Sequence, residues 1–206
     1  MDSLTFYTNP MSRGRIVRWM LEEVGQPYET VVLDYGRAMK SPDYLAINPM
    51  GKVPAVVHGA RVVTECAAIC TYLADAFPQA GLMPEDRAAF YRWMFFAAGP
   101  MEQAIVNTSF GWKPGTPQEA GRTGYGSLDS VIGAISAHVA QSPFMAGDRF
   151  SAADVYVGSQ IGWGLQFGSI PRNEALTAYW DRIKTRPAAA RANALDDALS
   201  NKDKPA

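Results

Sequence analysis

Residues 48–57 read Asn48-Pro49-Met50-Gly51-Lys52-Val53-Pro54-Ala55-Val56-Val57, a tight turn that feeds an apolar strand. Pro49 and Gly51 supply the turn chemistry. Pro54 cannot donate to a ladder, which places it at the strand's beginning or edge. His58-Gly59-Ala60 then turns the chain into Arg61-Val62-Val63-Thr64, so this region reads as a hairpin. From Glu65 onward Ala68, Ile69, Tyr72, Leu73 and Phe77 follow at helical spacing, and the run stops at Pro78.

Working back toward the N-terminus, Leu4-Thr5-Phe6-Tyr7-Thr8 is a β-prone run closed by Asn9-Pro10. Ile16, Val17, Met20, Leu21 and Val24 share one helical face, with Arg15, Arg18 and Glu22 on another; Gly25 and Pro27 end the helix. Tyr28 to Leu33 is a second strand, and residues 34–48 are irregular with room for one short helix after Ser41-Pro42. The order β-α-β, then β-β-α, implies a small mixed sheet with helices packed on it.

Beyond the turn-rich stretch Gln79 to Asp86 the helical period takes over. Arg87 to Val106 reads as one long helix, apolar around much of its circumference, which must be covered on several sides. Phe110 to Gly126 carries two prolines and five glycines and reads as a loop. A helix is predicted over 128–140. Ser151 with Asp154 three residues on sets an N-terminal capping signal for a buried helix from Ala152 to about Leu165, although the shorter Asp replaces the usual Glu or Gln. Phe150 and Val155 suit a hydrophobic staple over it. Gly158, Gly162 and Gly164 inside that helix suggest close helix packing or an early end. Two further helices are predicted over 174–185 and 187–199, with Pro187 at a first position, before a polar tail over 200–206.

Composition narrows the function class. The 206 residues hold 19 basic against 20 acidic side chains, a net charge of −1, which supplies no electrostatic footprint for nucleic acid or an anionic membrane. Two cysteines and two histidines exclude a disulfide-dense scaffold and argue against a metal site. No apolar run approaches the roughly 18 residues of a membrane span, and the N-terminal residues lack the pattern of a secretory signal. A cytoplasmic enzyme or binding protein is the expectation.

Four stretches sharpen it: Tyr7-Thr8-Asn9-Pro10-Met11-Ser12-Arg13, Asn48 to Pro54, Thr64-Glu65-Cys66-Ala67-Ala68-Ile69, and Gly147-Asp148 with Phe150 to Asp154. In this order, over essentially the whole chain, they resemble the cytosolic glutathione S-transferases, particularly bacterial members with a serine-type active site. The resemblance implies an α/β thioredoxin-like N-terminal domain over 1–80 that binds glutathione, a linker over 81–86, and an all-α helical domain over 87–206 that forms the hydrophobic-substrate site.

The resemblance also implies roles. The Val53-Pro54 bond is expected cis, leaving Val53 backbone groups to pair with the cysteinyl unit of glutathione as one more strand; Lys52 is either a partner of the glycyl carboxylate or a solvated lysine. Glu65 and the backbone N–H of Cys66, at a strand-to-helix junction, are expected to take the γ-glutamyl group, since a helix N-terminus favours an anion there. Cys66 departs from the family's usual serine, and a thiol is the weaker donor. Ser12, at the first helix start, is the expected thiolate stabiliser, and a plain N-cap would share its geometry. Met11 and Arg13, on either side of it, are alternatives for the key position; Tyr7 is the alternative hydroxyl donor, and Asn9 offers an amide. Arg13 and Arg15 add positive charge. No cysteine lies in this turn, which disfavours the branches that react through a mixed disulfide.

Tyr91, Phe95, Phe110, Trp112 and Trp163 are the expected aromatic wall of the electrophile site. The implied protein is a homodimer with no metal or redox cofactor and with glutathione as co-substrate. Two other readings stay open: a ligand carrier or interaction module without turnover, and a glutathione-dependent reductase or isomerase.

Overall fold

The computed structural model describes residues 2–202, without the side chains of residues 201 and 202. The chain divides into two compact units. One runs to Leu82 and is completed by the residues from Arg186 onward; the other is Met83–Thr185.

The first unit is a four-stranded sheet ordered β2-β1-β3-β4, built from β1 (Leu4–Thr8), β2 (Glu29–Val32), β3 (Ala55–His58) and β4 (Arg61–Thr64). β1 and β2 are parallel, joined across α1 (Gly14–Val24), whereas β3 runs antiparallel to both β1 and β4. Tyr7 stands opposite Ala55, and Ala55 opposite Thr64. The ends of β1 and β4 and the beginning of β3 therefore lie at one end of the sheet, and the turns that follow or precede them are brought together there.

Apolar burial explains these elements. Phe6 and Val56 in the sheet, Ile16, Val17, Met20 and Leu21 on α1, and Ile69, Cys70 and Leu73 on α3 (Cys66–Ala76) are almost fully removed from solvent. Each large apolar side chain so buried contributes about 1.5–3 kcal/mol. On a second cluster, Met39, Tyr44 and Ala55 pack with Tyr7, Leu33, Ile47 and Val53. Tyr44 belongs to α2 (Pro42–Ile47), the short helix expected after Ser41-Pro42; Ser41 Oγ caps it by accepting from Tyr44 N.

The last helix, α10 (Pro187–Lys202), lies in the helical domain expected over 87–206, but it packs on α1 and belongs to the first unit. The reason is local. Ala188, Ala189 and Ala192 are buried and small enough for close approach. Around them, charges alternate in complement: Arg186 meets Glu23, Arg191 meets Glu22, Arg18 meets Asp196 and Arg15 meets Asp197. The predicted tail over 200–206 is helical as far as Lys202; its last four residues lie outside the described ones.

The second unit is helical. The single helix expected over 87–106 runs on to Ser109: α4 (Arg87–Phe96) passes through a wide π turn over Ala97–Met101 into α5 (Glu102–Ser109), with helical backbone at both joints. Pro100 lacks the N–H of the regular ladder, and the wider turn absorbs the defect. α6 (Pro117–Arg122) occupies the segment expected to be a loop. Its signal was in the sequence: Thr116 Oγ1 accepts from Glu119 N at 3.2 Å, and Glu119 Oε2 accepts from Thr116 N at 3.1 Å, a full capping box with Pro117 at the first position.

α7 (Leu128–Gln141), α8 (Ala152–Phe167) and α9 (Glu174–Lys184) complete the unit. Asp154 does reach back to Ser151, its Oδ2 accepting from Ser151 N at 2.9 Å and Ser151 Oγ at 3.0 Å. Its Oδ1 accepts from Met145 N at 2.7 Å and Tyr179 Oη at 2.8 Å. Burial pushes the Asp154 carboxyl up, and these four bonds pull the other way. The glycines of α8 mark close packing: a Cβ on Gly158 would strike Ile183 and one on Gly162 would strike the Trp180 ring, both on α9.

Candidate active site

Three turns meet at one end of the sheet. The first, residues 9–14, joins β1 to α1. Asn9 is buried; its Nδ2 donates to Leu33 O at 2.9 Å and its Oδ1 accepts from Met11 N at 2.9 Å. The Asn9 carbonyl accepts from both Ser12 N at 3.1 Å and Ser12 Oγ at 2.7 Å. Ser12 Oγ in turn accepts from Gly14 N at 2.9 Å. Only glycine fits at position 14, because a Cβ there would run into Thr8 Oγ1 at the end of β1. That contact is what brings the first turn of α1 down onto the strand. Ser12 thus sits half-buried at a helix start, in the positive field of the helix.

Tyr7 has a different environment. Its ring lies 5.6 Å from that of Tyr44, within the Met39 and Ala55 cluster. Burial lifts the Tyr44 phenol to about 12, and its Oη donates to Lys52 O at 2.6 Å. Asn9 uses its amide to shape the turn. Ser12 is the candidate hydroxyl nearest the helix start, and the side chains of Met11 and Arg13 beside it are exposed.

The second turn, residues 48–54, is pinned from several directions. Asn48 Nδ2 donates to Lys52 O at 2.8 Å, Met50 N to Asn48 Oδ1 at 3.1 Å, and Lys40 Nζ to Met50 O at 3.0 Å. The Val53-Pro54 bond is cis. Pro54 is buried and Lys52 is exposed. Because Ala55 pairs with Tyr7, Val53 and Pro54 lie beside the turn that carries Ser12.

The third is the junction of β4 and α3. Glu65 has φ 66° and ψ 121°, the sole non-glycine residue with positive φ among the described residues. A non-glycine residue in such a conformation costs on the order of 1–3 kcal/mol, and such residues concentrate at functional sites. The Glu65 side chain is exposed. Cys66, the first residue of α3, is buried, and its Sγ donates to Arg13 O at 3.4 Å. That bond ties the start of α3 to the start of α1. Cys70 is fully buried, and burial pushes its thiol well above the ordinary range. The arrangement joins two helix N-termini, a strained carboxylate-bearing residue and a hydroxyl, a set suited to an anionic, extended, peptide-like ligand.

In the helical unit, Phe95 and Phe110 are 72% and 83% exposed, Tyr91 and Trp112 are also exposed, and Trp163 is half-buried. Tyr91 and Phe95, four residues apart on α4, share one face of that helix.

Two contributors to the first turn carried no signal in the sequence. Tyr35, in the irregular segment, donates its Oη to Met11 O at 3.0 Å. Asp197, on α10, holds Arg15 Nη2 at 2.8 Å.

Comparison with known proteins agrees with this picture. Residues 2–75 match the family described as Glutathione S-transferase, N-terminal domain. The chain is 30% identical over 207 residues to glutathione S-transferase 3 of Zea mays, covering 91% of this chain and 92% of that one. It is 28% identical over 193 residues to glutathione S-transferase GST-4.5 of Xanthomonas campestris pv. campestris, covering 87% and 92%. Among solved structures, the theta class glutathione S-transferase of Xanthomonas axonopodis pv. citri, with glutathione bound, is similar at 29% identity and a TM-score of 0.73, covering 93% of this chain and 97% of that one.

Proposed function

Given that this chain belongs to the glutathione S-transferase family, we propose that it conjugates reduced glutathione to hydrophobic electrophiles through a serine-type site. Val53 pairs with the backbone of the cysteinyl unit, Lys52 and Arg13 supply positive charge toward the tripeptide, and Glu65 with the N–H of Cys66 holds the γ-glutamyl end. Ser12 Oγ donates to the sulfur and stabilises it as thiolate. The thiolate then attacks the electrophilic carbon, forming a C–S bond as the leaving group departs with its electron pair, or as the added charge is taken up by a proton from solvent. The helical unit carries Tyr91, Phe95, Phe110, Trp112 and Trp163, aromatic side chains of a kind suited to flat hydrophobic electrophiles. The protein works as a homodimer in the cytoplasm, where thiols are kept reduced.

The observation that carries this reading is the geometry at Ser12. Its oxygen accepts Gly14 N–H at 2.9 Å at the N-terminus of α1. An oxygen that already accepts a hydrogen bond is polarised into a better donor, and the helix start adds positive potential to a developing thiolate. Turning the O–H from Asn9 O to an incoming sulfur needs only rotation about Cβ–Oγ.

The test is a difference-absorbance titration of bound glutathione thiolate near neutral pH. Ser12→Ala is expected to move the thiolate signal to higher pH and to lower kcat by about 10²-fold, the usual scale for removing one donor to a developing anion. An unchanged titration and turnover in Ser12→Ala, with loss in Tyr7→Phe, would transfer the role to Tyr7.

A further inference from the structure

Arg15 joins the turn that carries Ser12 to the last helix of the chain. Its Nε donates to Pro10 O at 2.6 Å, and its Nη2 donates to Asp197 Oδ1 at 2.8 Å and reaches Ser200 Oγ at 3.5 Å. Ser200 Oγ also lies 4.0 Å from Met11 Sδ. The Pro10 carbonyl belongs to the peptide plane whose other end is Met11 N–H, and that N–H is held by Asn9 Oδ1 at 2.9 Å. A peptide unit is planar, so gripping both its C=O and its N–H sets its orientation. The next plane is held in the same manner: Met11 O accepts from Tyr35 Oη at 3.0 Å, and Ser12 N donates to Asn9 O at 3.1 Å. The two peptide planes leading into Ser12 are thus each fixed at both ends. Of the four grips, the one through Arg15 is anchored from α10, 182 residues away in sequence.

We infer that Arg15 and Asp197 form a latch by which α10 positions Ser12 for reaction, so that the last helix is part of the catalytic apparatus. Both are positioning residues: neither bonds to the sulfur, and the latch acts through the Pro10–Met11 peptide. The inference rests on the assignment of thiolate stabilisation to Ser12. A guanidinium is required at position 15 because one planar fork must serve a backbone carbonyl with Nε and a carboxylate with Nη2 at once. A lysine keeps the charge and loses the second bond.

The sign of the electrostatics separates the latch from a plain charge effect. Removing the Asp197 carboxylate takes a negative charge away from the site, which by itself favours a thiolate and lowers the pKa of the bound thiol. Loss of positioning does the opposite, because the Ser12 donor is then poorly aligned.

The experiment compares Arg15→Lys, Asp197→Ala, Asp197→Asn and, as a control elsewhere on the same helix pair, Arg191→Gln, which breaks the contact with Glu22. Two readouts are taken: the thiolate titration and kcat of the glutathione-loaded protein, and amide hydrogen exchange of a peptide covering residues 9–14 in the ligand-free protein. Arg15→Lys and Asp197→Ala are expected to raise the thiol pKa, lower kcat by about tenfold and speed exchange over 9–14. Asp197→Asn, which keeps an acceptor, restores most of the loss, and Arg191→Gln leaves both readouts at wild type. A lowered thiol pKa in Asp197→Ala, or equal effects from Arg191→Gln, overturns the latch, since the first is charge alone and the second is general loosening of α10. Unchanged exchange and kcat in Arg15→Lys and Asp197→Ala, beside a Ser12→Ala that remains impaired, also overturn it. Failure of the Ser12 assignment itself shows separately, as a Ser12→Ala thiolate titration identical to wild type.

Discussion

Arg18 and Asp196 stand 178 residues apart in the chain and 2.7 Å apart in space, Nε to Oδ1, with side chains 3% and 0% exposed. The guanidinium also lies over the Phe6 ring, 5.1 Å from its centroid, and donates to Tyr28 Oη at 3.2 Å and Thr30 Oγ1 at 3.3 Å. One cation therefore ties α1, β1, β2 and α10 together. Burial raises the Asp196 carboxyl, and Arg18 works to lower it. Tyr28 is pushed up to about 12, first by burial and then by its bond to Glu22.

Asp196→Ala strands a buried guanidinium, and we expect it to cost about 3–5 kcal/mol in urea unfolding at unchanged m-value. Arg18→Met with Asp196→Ala removes both charges and is expected to cost clearly less than the two single changes added together. Simple additivity would mean that the pair is not coupled.

Asp154 accepts four hydrogen bonds at the start of α8. Asp154→Ala leaves four protein donors facing an apolar gap, two of them backbone N–H groups, and is expected to lose at least about 3 kcal/mol. Tyr179→Phe removes one bond and is expected to lose about 1 kcal/mol. Chemical denaturation of both variants checks the ranking; a larger loss in Tyr179→Phe would refute it.

Cys66 gives its thiol to Arg13 O. Cys66→Ser preserves a donor at that place, so glutathione affinity is expected within about twofold of wild type and turnover is expected to persist, because the proposed carboxylate contact is the backbone N–H, which the substitution keeps. A reductase activity that vanishes in Cys66→Ser would contradict conjugation as the reaction.

The His138 imidazole stacks on Trp93, ring centroids 4.3 Å apart, with Nε2 3.0 Å from Met145 O. Burial lowers its pKa below the ordinary 6.5, Arg92 adds to the lowering, and the Met145 bond opposes it. The unfolded chain then binds the proton more readily than the folded one. Stability contributed at neutral pH is lost as pH falls below about 6.5 through the folded-state value. The melting temperature of His138→Gln is expected to drop less than that of wild type between about pH 7 and pH 5. Parallel declines would exclude His138 as the sensor.

Local order was legible wherever a short-range pattern decides the structure. The alternating strand Leu4–Thr8, the hairpin around Gly59, the helix after Glu65 and the Ser151–Asp154 cap all appear where the sequence places them. The Thr116–Glu119 box was equally readable, but the surrounding glycines and prolines masked it. The π turn after Phe96 was not, since Pro100 in a helical pattern marks a defect without saying how the backbone absorbs it.

By itself the sequence determined the order of the strands and of most helices, the three turns that carry polar groups and the candidate residues within them, because turn chemistry and apolar period act over a few residues. Tertiary structure alone decided that Tyr7 packs in a cluster with Tyr44, that Cys66 meets Arg13, and that α10 returns to α1 so that Asp197 grips Arg15. These depend on strand register and on charges that meet only after the chain has closed over long separations, where no local spacing encodes the partner.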